Sequence, residues 1–461
     1  MNLVCKNLTI RNAESSDAEQ LCTWWNDGSV MAHAGFPLGL GETPERIAEI
    51  LSSDSDKTTR RHIIEADGIP IGEMNYRKVG DAKAEIGIKI CDEDAQNKGY
   101  GTTLLAIFID ALFSYYGYEK IILDTNTQNT RAQHVYTKLG FTSLGINPNS
   151  WRDQLGEVQS SIDYEMSKAS WQERQKQLSS NTVASHASTV PLYYRIREEE
   201  PRDYRIVEEL TREAFWVNTD AKERICEHLL THKLRLSTSF IPQLDFVAEC
   251  QNEIVGHIIY SMAKTVSKDG HEHPLLTFGP LSVLPRWQNR GVGGALMSFS
   301  IAAARRLGYG AIVFFGHPEY YPRFGFNEAG SYGITTKEGK VFPAFMAMEL
   351  VENALEEVTG YFAEDPLFEE LEKDADAVDA FDATFPPKAP LPYAGMELLL
   401  ERLSPDARKT IASLGLEHLR DMRGQTEVNI AKMPGIDTQA LETIRQVMHE
   451  HGRIWGGWPR Q

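Results

Sequence analysis

Two short stretches constrain this chain more than anything else in it. Residues 92–105 read DEDAQNKGYGTTLL and residues 284–297 read LPRWQNRGVGGALM. Each sets Gln-Asn-(Lys/Arg)-Gly-x-Gly between an apolar strand-like run and a helix-like run. Gln96 and Gln288 lie 288 − 96 = 192 residues apart. A strand that feeds such a turn into a helix aligns unpaired backbone N–H groups at the positive end of the helix dipole. That arrangement cradles an anion such as phosphate, and the glycines let it approach closely. A dinucleotide fold would need Gly-x-Gly-x-x-Gly with an acidic residue about 20 positions on, and a nucleotide-triphosphatase loop would need Lys-Ser/Thr after the glycines. Neither pattern is present.

The elements around the turns repeat in order. NLTIRNA, a capped helix from SSDAEQLCTWWND, a hairpin turning at Asp67-Gly68, the strand AEIGIKI, the first glycine turn and a helix ending at Gly117 occupy the first half. From LYYRIREEE the sequence starts again: a helix, a hairpin turning at Gln251-Asn252, the strand LLTFGPLSVL, the second turn and a helix ending at Gly308. IGEMNY (71–76) matches VGHIIY (255–260), and YTKLGF (136–141) matches YPRFGF (321–326). A duplicated domain at long period follows. At 461 residues the chain is too long for one ordinary core. The expected division is residues 1–168, a linker at 169–191, residues 192–365, an acidic and Pro-rich linker at 366–394, and a helical domain at 395–461. The expected fold class is α/β (α+β), two mixed-sheet domains in tandem and a small all-α domain.

Formal net charge is −18, which weighs against a general nucleic-acid binder and would attract cations. Cys5, Cys22, Cys91, Cys226 and Cys250 form no paired framework and fit a reducing, cytoplasmic location. The N-terminus lacks an apolar signal core, and the longest apolar stretch is too short for a membrane span. His271-Glu272-His273 has spacing poor for a metal and reads as a solvated loop, so no metal is expected.

Through the glycine turn, the strand before it and a Tyr-x-x-x-Gly-Phe motif after it, the chain resembles the GCN5-related N-acetyltransferase (GNAT) superfamily, twice. The first copy, through NTRAQHVYTKLGF, is similar to the ribosomal-protein and aminoglycoside acetyltransferase branch; the second resembles predicted GNAT acetyltransferases. The resemblance implies an acetyl-CoA-dependent acyltransferase that passes acetyl to a primary amine by direct attack. It implies a pyrophosphate cradle of Gln96, Asn97, Lys98, Gly99, Tyr100, Gly101 and Thr102, and a second of Gln288, Asn289, Arg290, Gly291, Val292, Gly293 and Gly294. Strand residues Ile88, Ile90, Leu281 and Val283 would lie along the pantetheine arm, with Asn129 and Arg131 near it and the phosphates. Tyr136 and Tyr321, each five residues before the Gly-Phe phenylalanine, would protonate the departing thiolate.

The attacking amine must lose a proton, so a carboxylate is a suitable base. Glu73 and Glu85 are the candidates in the first copy. Thr277 and His257 stand in their places in the second, where Glu319, His317 and His257 are alternatives. Trp24, Trp25 and Asp27 lie where this family builds its acceptor pocket and could hold a cation by stacking and charge. The expected acceptor is a small-molecule or protein amine. An alternative is that one copy binds acetyl-CoA without turnover, in a regulatory role. The tail around Met433-Pro434-Gly435-Ile436 resembles the C-terminal domain of the RNA polymerase alpha subunit and related helix-hairpin-helix units. Asp437-Thr438-Gln439 stands where DNA-binding members carry a basic residue, so protein docking is expected there rather than DNA contact.

Overall fold

The computed structural model describes residues 1–180, 190–216, 225–356, 358–388, 394–425 and 427–451. Parts of both expected linkers (181–189 and 389–393) and the end of the tail (452–461) lie outside the described residues. By its contacts the chain divides into two compact units, one of residues 1–197 with 250–252 and one of the remainder.

In the first unit β1 (Leu3–Cys5) and β2 (Leu8–Asn12) precede the helices α1 (Ala18–Asn26), α2 (Gly28–Met31) and α3 (Pro44–Ser52). β3 (Thr59–Ala66) and β4 (Ile69–Lys78) form the expected hairpin. Its turn residues Asp67 and Gly68 both have positive φ, 52° and 78°, the conformation that Asp-Gly adopts at low cost. β5 (Lys83–Ile90) pairs antiparallel with β4. Then α4 (Tyr100–Ser114) and the parallel strand β6 (Lys120–Asn126) follow, with α5 (Thr130–Leu139), β7 (Thr142–Arg152) and β8 (Val158–Ser167) after them. α6 (Lys168–Ser180) and β9 (Tyr194–Glu198) complete this half, and β9 pairs with β1.

α4 is apolar on nearly every side because it is buried on nearly every side, Leu104 through Ile109 being at most 2% exposed. Asp110, the single charge in that run, accepts hydrogen bonds from Trp171 Nε1 (3.0 Å) and Tyr193 Oη (2.8 Å). Half of the expected first linker is therefore a helix. α6 carries Trp171, 2% exposed, into the core and onto Asp110. The polar composition of 169–180 hid one apolar anchor that suffices to dock the helix.

The second unit begins with α7 (Tyr204–Trp216) and α8 (Glu227–Leu234), then β10 (Phe246–Cys250), β11 (Glu253–Val266) and β12 (Glu272–Val283). Gln251 and Asn252, between β10 and β11, have φ of 52° and 64°, the tight turn expected there. β11 and β12 pair antiparallel with a bulge between Ile258 and Tyr260. α9 (Val292–Arg306) leads to β13 (Ala311–Phe315), which runs parallel to β12. β14 (Asn327–Glu328), β15 (Ile334–Thr335), β16 (Phe345–Glu349) and β17 (Gly360–Ala363) finish the sheet; β16 pairs with β13 and β17 with the far end of β11.

Residues 366–394, expected as a linker, instead carry α10 (Leu367–Lys373) and α11 (Ala375–Asp382). Leu371 and Val378 pack with Leu229, Leu230 and Ile259. Asp382 receives a bidentate bond from Arg212 (2.6 and 2.9 Å). Alternating acidic and apolar residues there form an amphipathic face, which the charge run masked in the sequence. The tail forms α12 (Glu397–Leu400), α13 (Pro405–Ala412), α14 (Glu427–Ala431) and α15 (Thr438–Glu450) around Leu399, Ile411, Ile430, Ile444 and Val447, all fully buried. Among the described residues no helix is long and apolar enough to cross a membrane.

Candidate active site

Both glycine turns adopt one geometry. Asn97 (φ 60°) and Asn289 (φ 59°) are left-handed, as are Gly99 (φ 80°) and Gly291 (φ 92°), which N-cap α4 and α9. A Cβ on Gly99 or Gly291 would meet no atom within 4 Å. Those glycines are required by backbone conformation, and the space above them is open to an anion at the helix N-terminus. The cradles thus fit the phosphates of coenzyme A.

The two glutamines pin the turns. Gln96 Nε2 donates to the carbonyl of Ile90 (3.1 Å) and Gln288 Nε2 to that of Val283 (3.0 Å). Arg131 reaches back from α5 to Gln96 Oε1 (2.7 Å), so its guanidinium lies at the first cradle. Asn129 caps α5, accepting from the N–H of Ala132 (3.2 Å). In the second unit the cradle is flanked differently. Tyr320 Oη lies 3.0 Å from where a Gly293 Cβ would stand, and Arg323 Nη2 lies 3.7 Å from the same point on Gly294. Arg323 also covers the Tyr320 ring at 4.0 Å.

β5 and β6 pair at Lys83–Lys120, Ala84–Ile121 and Glu85–Ile122; no later pair joins them among the described residues. Past that point the strands part, and Ile88 and Ile90 lie on one side of the opening. Tyr136, 7% exposed, packs edge-on to Tyr164 (5.6 Å) and Phe141 (5.9 Å). Burial, with Asp124 and Tyr164 nearby, pushes its hydroxyl up to about 12, so it keeps its proton at neutral pH. Asp124, on β6, is a carboxylate that sequence reading missed. Although its side chain is exposed, its pKa is raised, first by partial desolvation against its neighbours and then by Glu85 and Asp163. A charged residue two positions before the end of a buried-type strand was the available signal.

The sequence-chosen carboxylates sit less freely. Glu85 receives both oxygens' bonds from Arg77 Nη2 (2.9 and 2.8 Å) at the edge of the opening. Glu73, 4% exposed, accepts from Trp25 Nε1 (3.0 Å) and Lys89 Nζ (2.6 Å). Trp24 and Trp25 are 7% and 8% exposed and belong to the core with Leu21, Ile47 and Ile63. The expected cation-stacking faces are therefore turned inward: an indole on a short amphipathic helix is drawn to the core by its area. Asp27 is exposed and caps α2, accepting from Ser29 N (2.7 Å) and Oγ (2.6 Å). Gln154, at the β7–β8 turn, clasps the neighbouring loop. It accepts from Leu38 N (2.9 Å) and donates to the carbonyls of Gly39 (2.9 Å) and, through its backbone N–H, Gly35 (2.8 Å).

In the second unit Tyr321 packs against Phe314 (4.6 Å) and Phe278 (5.8 Å), and burial raises its pKa strongly. His257 is fully buried and shares a 2.7 Å hydrogen bond with Asp245, which removes it from the set of accessible bases. Glu199, Asp245 and His257 bring ligand atoms within 4.8 Å of one another. Arg235, however, donates to both oxygens of Glu199 (2.8 and 2.7 Å), so this is a salt-bridged network with no free face for a cation. His317 is half-buried and its pKa is lowered by burial; Glu319 is exposed and bonded to Asn429 of α14. Glu272 of the His-Glu-His stretch pairs across the hairpin with Lys264.

Residues 7–142 and residues 244–328 each match a model of the acetyltransferase (GNAT) domain. The chain carries two GNAT domains in tandem. Over 94 residues (20% of this chain, 51% of that protein) it is 37% identical to the uncharacterized N-acetyltransferase YjhQ of Escherichia coli K12. Over 165 residues (36% and 92%) it is 27% identical to the uncharacterized N-acetyltransferase YhbS of the same strain. It is 32% identical over 92 residues (20% and 49%) to the E. coli K12 spermidine N(1)-acetyltransferase. The chain thus spans about half the length of the first and third of these proteins. The solved structure of E. coli YhbS in complex with CoA is 25% identical, covering 40% of this chain and 96% of that one, with a TM-score of 0.35.

Proposed function

We propose that the chain is an acetyl-CoA-dependent N-acetyltransferase whose first domain acts on a small cationic amine. The observation that carries this reading is the first domain's opening between β5 and β6. Asp124 follows the last β5–β6 pair by two residues and lies close enough to Tyr136 to act on its hydroxyl. Acetyl-CoA supplies the activated acetyl thioester. Gln96 to Thr102 hold its phosphates through the α4 N-terminus and Arg131, and Gln288 to Gly294 do so in the second domain. Asp124, or a water it orders, takes the proton of the incoming ammonium, and the Tyr136 hydroxyl donates to the leaving sulfur. Glu85, Asp124 and Asp163 give this opening an acidic field suited to a cationic acceptor. The similarity to a spermidine acetyltransferase supports a polyamine-like acceptor over the ribosomal-protein branch. A substitution tests the cradles. Gly99→Val and Gly291→Val each force a β-branched residue into the left-handed region, at a cost of about 1–3 kcal/mol. Calorimetric titration of the full chain with CoA is expected to show two sites, each variant weakening one. A single site unaffected by both variants refutes the reading.

The tail, similar to helix-hairpin-helix units, is proposed as a protein-docking domain. Asp437 caps α15 by accepting from Ala440 N (2.7 Å), which sets a carboxylate directly after the Met433–Ile436 turn. Arg445 is tied to Glu427 and Glu442, and Arg402 to Glu450. The full chain is expected to show no salt-sensitive retardation of duplex DNA; a retardation lost on deleting residues 395–461 would reverse this assignment.

A further inference from the structure

Glu73, Asn75 and Arg77 lie at alternate positions of β4, on one face, opposite Lys89, Gly87 and Glu85 of β5. Glu73 is taken by Lys89 and Arg77 by Glu85. Asn75, half-buried between them, faces the glycine and has no hydrogen-bond partner among the described residues. Its carboxamide lies over that glycine: a Cβ on Gly87 would stand 3.0 Å from Nδ2 and 3.4 Å from Oδ1. A side chain at position 87 would crowd the amide from its place.

That place borders the opening. The last β5–β6 pair is Glu85–Ile122, and Gly87 on β5 and Asp124 on β6 each follow it by two residues, on the same face. Asn75, laid over Gly87, and Asp124 therefore stand on the two sides of the gap where the acetyl thioester is proposed to lie. The second domain differs here. Gly279 precedes Gln288 by nine residues, as Gly87 precedes Gln96. A Cβ on Gly279 would stand 3.5 Å from Cε1 of Phe368, in α10. The first domain thus presents an amide where the second presents a phenyl ring.

We propose that Asn75 binds the acceptor nitrogen in the first domain, its Oδ1 accepting a hydrogen bond from that nitrogen while Asp124 takes a proton from it across the opening. This rests on the acetyl-transfer reading above and names the contact that aims the amine. A primary ammonium has three N–H bonds to share. One proton passes to Asp124 or to a water it orders, one N–H stays on Asn75, and the lone pair set free is held toward the acetyl carbon. The nitrogen–carbon bond forms as the carbon–sulfur bond breaks. Tyr136 protonates the sulfur and recovers, through water, the second proton that the nitrogen gives up. A neutral amide suits this place, because it accepts from the nitrogen both before and after deprotonation. A further carboxylate there would favour the charged form and withhold the lone pair.

The test uses the full-length chain carrying Tyr321→Phe, so that turnover reports the first domain, with spermidine as the probe. CoA release and CoA titration are measured for that parent and with Asn75→Ala, Asn75→Asp or Gly87→Ala added. Asn75→Ala is expected to raise KM for spermidine about tenfold, the worth of one hydrogen bond to a charged group, with CoA affinity unchanged. Asn75→Asp keeps accepting oxygens and is expected to leave KM at or below the parent's, lower kcat, and move the acid limb of the kcat profile to higher pH. A side chain that only shaped the strand would not produce that split. Gly87→Ala, whose methyl crowds the amide, is expected to raise KM in the parent and to add nothing to Asn75→Ala. The inference fails if Asn75→Ala leaves KM unchanged or weakens CoA instead, if Asn75→Asp behaves like Asn75→Ala, or if the Gly87→Ala effect is additive. A parent that releases no CoA with spermidine refutes the cationic-acceptor reading itself, and this inference with it.

Discussion

Replacing Tyr136 with phenylalanine is expected to lower kcat for the first domain's acceptor about 100-fold or more, with little change in CoA affinity. General acids of this kind contribute about 10²–10⁴ in rate. The ring already packs against Phe141 and Tyr164, and removing one oxygen leaves those contacts intact. The hydroxyl is held up to about 12 by burial and by Asp124, so the wild type keeps its proton donor throughout neutral and mildly alkaline assays. Its loss therefore removes the rate at every such pH. Asp124→Asn should act differently. The raised carboxyl must be ionised to accept a proton, so wild-type kcat/KM falls as pH drops through its raised value, and the variant should be low throughout without that acid limb. Steady-state kinetics with spermidine, paired with CoA titration of each variant, measures both. Equal kcat in Tyr136→Phe and the wild type would exclude the phenol as donor.

Arg235→Ala is expected to destabilise the second unit by about 3–5 kcal/mol, because it removes the buried guanidinium that bonds both oxygens of Glu199 and one of Glu208. Arg235 bonds Glu199 at 2.7 and 2.8 Å and Glu208 at 3.1 Å, and its guanidinium covers the Tyr204 ring at 4.3 Å. Around it, burial pushes Glu199 up to about 8 and Asp245 up to about 6, and drives His257 down to about 4. The signs of the pH dependence follow from linkage. Glu199 and Asp245 bind protons more tightly when folded, so the stability they add is complete below their unfolded values and is lost as pH rises through about 6 and then 8. His257 binds its proton less tightly when folded, so stability is lost as pH falls from its unfolded value toward 4. Thermal unfolding of the wild type should therefore move to lower temperature as pH rises from about 6 to about 8 and level off above that. Glu199→Gln, which cannot titrate, should flatten the upper part of that slope. An unchanged slope in that variant would assign the alkaline loss to another group.

Much of the architecture is legible in the sequence because its signals are local. Asp67-Gly68 turns a hairpin because both residues tolerate positive φ, and the two glycine turns recur because a left-handed residue opens each helix. Duplication itself shows as a repeated order of such signals. Trp24 and Trp25 mark the limit of that kind of reading. Sequence places them in the right segment, but which way an indole faces depends on what packs against it, and here Leu21, Ile47 and Ile63 enclose both. The charged run before Asp382 misled in the same way: its apolar residues matter only once α8 presents a partner surface.

The two glycine turns and the tandem repeat were determined by sequence, since each depends on spacing along one stretch of chain. Tertiary structure alone decided which carboxylate borders the opening. Glu73 is tied to Lys89 and Trp25 and Glu85 to Arg77, while Asp124 is brought there by the parting of β5 from β6. Local geometry is encoded by neighbours in sequence; the polarity of a site is set by strands that meet from far apart.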